Sequence, residues 1–115
     1  MKINYLIICT LFLFISGCAN TSIYHWGDYS DTLYSYTKEP SNESKLKHKE
    51  ELIKIINQAK SKNKMIPPGI NFELAMLLAV EGDKDGAAEY FNQEKLLFPE
   101  SETYVALALK KMEGK

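Results

Sequence analysis

Residues 68–101 read PGINFELAMLLAVEGDKDGAAEYFNQEKLLFPES, and the fold is decided here. Leu74 to Val80 is wholly apolar. The pattern predicts a helix from about Ile70 to Val80, buried on most sides. The Pro67-Pro68-Gly69 triplet cannot sit inside a helix, so it sets the upstream limit. Gly82-Asp83 is a turn. A second helix then runs from about Lys84 to Leu97, closed by Pro99. Two helices joined by so short a turn form an antiparallel hairpin.

The stretch is 34 residues long, the length of a tetratricopeptide repeat, and it resembles one inside as well. Leu74 and Ala75 stand where that repeat has a Leu and a small residue, and Leu78 takes the large position one turn later. Ala87 takes the small position of the second helix, Phe91 the aromatic one and Pro99 the closing proline. Small residues let the two helices approach, large ones fill the gap, and Gly allows the positive φ of the turn. The chain departs from the repeat at Asn71, where a Trp is usual and Phe72 stands beside it, and at Glu94 in place of an Ala.

Working outward, a last helix is expected from Ser101 or Glu102 to about Met112, with Tyr104, Leu107 and Met112 inward. Upstream, Ser41 to Lys62 reads as a longer helix, with Ser41 or Ser44 as its cap. Leu46, Ile53, Ile56 and Ala59 form its apolar stripe, widened by Leu52 and Ile55. Lys47, Glu50, Glu51, Lys54 and Lys60 lie opposite, with Glu50 and Lys54 as an i,i+4 pair. Before it, Trp26, Tyr29, Leu33 and Tyr36 fall on one helix face that ends at Pro40, and this face is expected to be core. Gly27-Asp28-Tyr29 repeats the Gly82-Asp83-Lys84 turn, and Tyr36 falls where Phe91 does. This first helix therefore reads either as half of a degenerate repeat or as a coincidental turn before a helix. No segment alternates at period two. The fold class expected is all-α: short helical hairpins, with a tetratricopeptide-like repeat preceded by a degenerate half repeat and a longer helix.

The N-terminus has a different character. Lys2 is followed by the apolar run Tyr5 to Ile15, about eleven residues long and broken only by Thr10, and then by Ile15-Ser16-Gly17-Cys18. A membrane span needs about 20 apolar residues, whereas the core of a secretory signal has about 7–15. The ISGC junction resembles the bacterial lipobox. That resemblance implies cleavage before Cys18, a diacylglycerol on its sulfur and usually an acyl chain on the new amine. Ala19, rather than Asp, after the Cys implies export to the outer membrane. Two lipid chains at about 0.8 kcal/mol per buried CH₂ already anchor a protein stably. The expected organisation is a signal peptide over 1–17, a lipidated tether over 18–23 and a helical domain over 24–115.

The mature chain would hold 98 residues, enough for one small domain. With Cys9 removed and Cys18 acylated, no thiol would remain for a disulfide, a metal or a nucleophile. Without Lys2 there are 13 Lys against 15 Asp and Glu, and Arg is absent from the sequence. Nucleic-acid sites lean on Arg forks and a basic excess, so no nucleic-acid partner is expected.

Candidate chemistry is sparse. His25 has only Asp28 near it along a helix and His48 only Glu51. Neither makes the three or four ligands of a zinc site, so no metal or cofactor is expected, and both read as surface or packing residues. Ser41 and Ser44 lie near His48 without a nucleophile elbow, and capping accounts for them. Asp83, Asp85 and Glu81 make an acidic turn that suits a helix start and lacks the ladder of a calcium loop. Four of the seven tyrosines and the one Trp lie between Tyr24 and Tyr36. Tyr24 and Tyr34 fall off the apolar face and are open to a protein, a glycan or a lipid surface.

From Tyr24 to about Glu113 the marks YHWGDYSDTLYSY, KHKEEL at 47–52, IPPG at 66–69 and the run ending LFPES at Ser101 resemble a family of small bacterial lipoproteins classed only as a domain of unknown function. Its members look like envelope lipoproteins, often encoded beside a curli-transport-type lipoprotein and another small lipoprotein. No catalytic residues come with the resemblance. The expectation is a non-enzymatic helical adaptor on the periplasmic face of the outer membrane, held by lipid on Cys18 and bound to another envelope lipoprotein or secretion component. Tetratricopeptide-like units bind protein segments in a groove, so Phe72 and Leu78 join Tyr24 and Tyr34 as expected partner contacts. The alternative is an envelope protein that binds or modifies peptidoglycan or glycans. A pocket with perturbed acids and exposed tyrosines would favour that alternative, and a groove without converging polar groups would favour the adaptor. Three stacked repeats are usually needed for independent stability. With about one and a half, the domain is expected to lean on its long helix, on self-association or on a partner.

Overall fold

The computed structural model describes residues 22–114. The readings placed on the segment 1–17, on Cys18 and on most of the tether lie outside the described residues. The helices are α1 (Tyr29–Lys38), α2 (Asn42–Ser61), α3 (Ile70–Glu81), α4 (Lys84–Leu97) and α5 (Glu102–Glu113), with a 3₁₀ turn at Pro99–Ser101 before α5. The domain is all-α, as its pattern predicts. No described helix is long and apolar enough to cross a membrane.

The punctuation follows local chemistry. Ser41 and Ser44 build a reciprocal capping box at the start of α2, each hydroxyl accepting the other residue's backbone N–H at 3.0 Å. Gly82 has φ +89°, and the Asp83 carboxylate accepts the Gly86 N–H at 2.9 Å to start α4. The upstream turn has the same plan, with Gly27 at φ +52° and Asp28 at the N-cap of α1. Asp28 does not cap with its side chain, however. Its backbone N–H donates to Glu51 Oε1 at 2.9 Å instead.

Two apolar clusters make the core. Leu52, Ile55 and Ile56 of α2 meet Ile70, Leu74 and Leu77 of α3, with Tyr29 and Tyr36 of α1 packed against them. Ala75, Ala87, Phe91 and Val105 join α3, α4 and α5 in the second. Leu78 borders both. Fully burying each large aliphatic contributes about 1.5–3 kcal/mol relative to exposure. The hairpin assigned from Leu74, Ala75, Ala87 and Phe91 is therefore where those residues are, all at 0% exposure.

Several faces differ from expectation. The buried line of α2 is His48, Glu51, Leu52, Ile55, Ile56 and Ala59, while Leu46 and Ile53 are exposed. The stripe is rotated because α1 and α3 bring polar partners for His48 and Glu51, which a reading by hydrophobicity assigns to solvent. Lys54 pairs with Glu51 at 3.2 Å and reaches Asp28 at 3.7 Å, so the expected Glu50 pairing gives way to a tie toward α1. Trp26 precedes α1 and is 43% exposed. The segment around Tyr24 is extended and makes a single parallel bridge with Met65: the Met65 N–H donates to the Ile23 carbonyl at 2.8 Å, and the His25 N–H to the Met65 carbonyl at 3.2 Å. Val105, rather than Tyr104 or Leu107, is the buried apolar residue of α5. Helix α3 is also less covered than its composition predicts, since Met76 and Val80 are exposed.

Candidate functional site

The uncovered sides of α3 and α5 face one another. Phe72, Met76 and Val80 lie on α3 at helical spacing, and Tyr104 and Leu107 lie on α5. Together they line an open groove of about 410 Å³. The Phe72 ring forms its floor, edge-on to Phe91 at 5.3 Å and to Tyr104 at 5.1 Å between centroids. Val80 is 76% and Leu107 64% exposed. Lys84 and Lys111 complete the lining. Exposed apolar side chains gathered in a concavity mark binding surfaces more often than singly scattered ones do.

The other expected contacts are elsewhere. Leu78 packs between the two core clusters and does not line the groove. Tyr34 is 61% exposed and lines a separate cavity of about 560 Å³ where α1 turns into α2, beside Pro40 and Lys47. The Lys38 ammonium sits 5.3 Å from the Tyr34 ring centroid. Tyr24 is half-buried, its ring edge-on to Trp26 at 6.5 Å. The structure thus brings Phe72 to the groove and places Tyr34 and Tyr24 at other points of the surface.

A buried polar network joins α1, α2 and α3. His48 is fully buried. Its Nδ1 lies 2.8 Å from Thr32 Oγ1 and its Nε2 2.7 Å from Glu73 Oε1. The Tyr29 hydroxyl donates to Glu73 Oε2 at 2.8 Å. Tyr36 stacks on the imidazole at 5.9 Å. Burial, reinforced by the hydrogen bond and charge of Glu73, pushes the Tyr29 hydroxyl up to about 12. Hydroxyl, imidazole and carboxylate are the group types of a catalytic triad. Here the imidazole is sealed from substrate, and Thr32 Oγ1 also reaches the Asp28 and Tyr29 carbonyls at 3.3 and 3.2 Å. The network acts as a polar rivet between three helices, satisfying groups that would otherwise be buried unpaired.

Glu94, at the position where the repeat has Ala, is fully buried. Its Oε1 accepts the Gly69 N–H at 2.8 Å, so α4 supplies the cap that α3 lacks in its own sequence. Burial pushes its carboxyl above the ordinary value, against the Gly69 hydrogen bond and the weaker pull of the Phe72 and Asn71 amides. Glu94 Oε2, Asn71 Nδ2 and Ser101 Oγ are buried without a partner of hydrogen-bond geometry among the described residues. Also among the described residues, no three His, Cys, Asp or Glu converge as a metal site would require.

Sequence reasoning placed Glu51 on the solvent side of its helix, left His48 open between surface and packing, read Glu94 only as a departure from the repeat and did not single out the half-buried Glu73. A usable signal existed for two of them: residues 48, 51, 52, 55, 56 and 59 keep strict helical spacing if His48 and Glu51 are allowed inward.

Fold and site together define a small all-helical domain with an apolar interhelical groove and a sealed polar interior. The chain belongs to the family described as Domain of unknown function (DUF4810), which matches residues 23–107. No curated protein and no solved structure matches the chain.

Proposed function

We propose that the protein is an outer-membrane lipoprotein, tethered by acylated Cys18, that serves as a non-enzymatic helical adaptor in a transport- or secretion-type assembly of a bacterial envelope. The groove between α3 and α5 carries this reading. It is apolar along its length and gathers no converging acids, which suits a protein segment better than a reacting substrate. The α3–α4 hairpin from Pro68 to Ser101, followed by α5 beside α3, supports its description as a tetratricopeptide-like unit with the opening helix of a next one. Such units stack through their neighbours, which supports a partner that completes the stack. A tether on Cys18 concentrates the domain near other anchored proteins. The alternative, a peptidoglycan- or glycan-binding or -modifying protein, draws on the cavity beside Tyr34, where an exposed ring and Lys47 stand together.

Capture of the tagged full chain from detergent-solubilised envelopes tests the adaptor reading. A discrete envelope protein should co-purify with the parent and with Tyr34→Ala, and should be lost with Val80→Glu, which places a charge in the groove. Loss with Tyr34→Ala and retention with Val80→Glu would shift the site to the other cavity.

A further inference from the structure

The groove has a direction. Phe72 and Tyr104 touch through their rings at the N-terminal turns of α3 and α5, and Ala79 and Val80 near the end of α3 line the same groove as Lys111 and Met112 near the end of α5, so the two helices run the same way. Their aromatic end is the floor described above. At the other end, Lys84 opens α4 immediately after the Gly82-Asp83 turn, and Lys111 lies in the last turn of α5. Both lysines are exposed and both line the groove. Neither ammonium is held by an ion pair among the described residues, whereas Lys45 and Lys49 are tied to Glu81 and Lys47 to Glu43. The groove lining is therefore apolar along its length, carries two lysines at one end and holds no carboxylate; of the acidic turn that flanks Lys84, Glu81 is engaged by Lys45 and Lys49 and Asp83 by the Gly86 N–H, and Asp85 stays outside the lining.

We infer that the occupant is an amphipathic helix of a partner protein that lies antiparallel to α3 and α5 and carries carboxylates in its first turn, set against Lys84 and Lys111. This rests on the adaptor reading and names the chemistry of its partner. One observation and one general preference set that polarity. The two unengaged ammonium groups call for negative charge at one end only. Acidic side chains are favoured in the first turn of a helix, whose amides carry partial positive charge, and an antiparallel occupant starts at the lysine end. The α3 face, with Phe72, Met76 and Val80, has the spacing that accepts i, i+3/i+4 and i+7 apolar anchors of a helix laid in a groove. Rim charges of this kind fix orientation and partner choice more than they add affinity.

The test uses the full chain in lipid nanodiscs and three fluorescent helical peptides with the same apolar face. One carries two Glu in its first turn, one carries two Lys there, and one carries two Glu in its last turn. Polarisation should show tightest binding for the first peptide, by about tenfold or more over the second. The double variant Lys84→Glu/Lys111→Glu should reverse the order, so that the Lys-turn peptide binds best. This reversal separates a charge contact from mere misfolding. Equal binding of all three peptides, or preference for the last-turn acid, overturns the polarity while leaving a protein-binding groove. No binding by any peptide overturns the inference. If the envelope capture described above still loses its partner with Val80→Glu, the adaptor reading then survives, and if that capture is empty as well, both fall. A crosslinked species from the groove with the mass of two copies of this chain would assign the occupant to a second copy and also overturn the inference.

Discussion

Gly27→Ala should destabilise the domain by more than its position in a surface turn suggests. Gly27 has φ +52°, where an L-residue with a Cβ costs about 1–2 kcal/mol. A Cβ built there would also lie 2.5 Å from Glu51 Oε1 and 3.2 Å from Ile55 Cγ1. Ile55 is at 0% exposure and holds its place, so the flexible end of Glu51 is the group that must shift. Displacing Glu51 breaks its bond from the Asp28 N–H, and a hydrogen bond to a charged group contributes about 1.5–3 kcal/mol. The stiffer unfolded chain returns about 0.4–1 kcal/mol. The net expected loss is about 2–4 kcal/mol. Gly82→Ala is the matched control, because Gly82 has φ +89° and nothing within 4 Å of its Cβ position. It should cost about 0–1.5 kcal/mol. Urea titration followed by circular dichroism measures both. Adding Glu51→Ala to Gly27→Ala should cost less than the sum of the single losses, since both remove one contact. Equal losses for the two glycine variants, or strict additivity, would refute the role given to Glu51.

Three further outcomes are expected. Ala87→Leu should lose about 1–3 kcal/mol through overpacking between α3 and α4, while Lys84→Gln on the surface should lose under about 0.5 kcal/mol, as read by urea midpoints. Burial holds the Glu94 carboxyl above its ordinary value when folded, so the stability it contributes is present at acid pH and falls as pH rises through that raised value; the stability of Glu94→Gln relative to the parent should therefore improve as pH rises from below the ordinary carboxylate range toward neutrality, and an unchanged difference would count against the burial argument. Cys18→Ser should abolish labelling of the chain by a clickable fatty acid and leave the precursor uncleaved, and equal labelling of variant and parent would remove the tether.

Much of the helical plan was legible because its punctuation is chemical and local. Pro67-Pro68-Gly69, Gly82-Asp83, Pro99 and the Ser41/Ser44 pair each act on the backbone within a few residues, so the bounds of α3 and α4 fall within a residue of those expected. The buried positions Ala75, Ala87 and Phe91 were legible from small and large residues at helical spacing. What stayed hidden depends on groups distant in sequence. His48 looks polar until Thr32 and Glu73 arrive from α1 and α3, and Glu94 looks like a defect until the Gly69 amide is brought to it. Hydrophobicity alone sends such residues outward. The same limit misplaced Tyr104, Leu107 and Val80: apolar residues at helical spacing were assigned to the core, whereas here they line an open groove. Leu78, expected both to fill the gap between helices and to contact a partner, packs partly buried against both clusters.

The proposed contact between the α3–α5 groove and another envelope protein can be read in living cells. A photocrosslinker at position 107, an exposed residue of the groove lining, is compared with one at position 60 on the exposed side of α2. One discrete adduct containing a different envelope protein is expected from position 107 and none from position 60. No adduct from position 107, together with hydrolysis of cell-wall fragments by the purified protein, would contradict that contact.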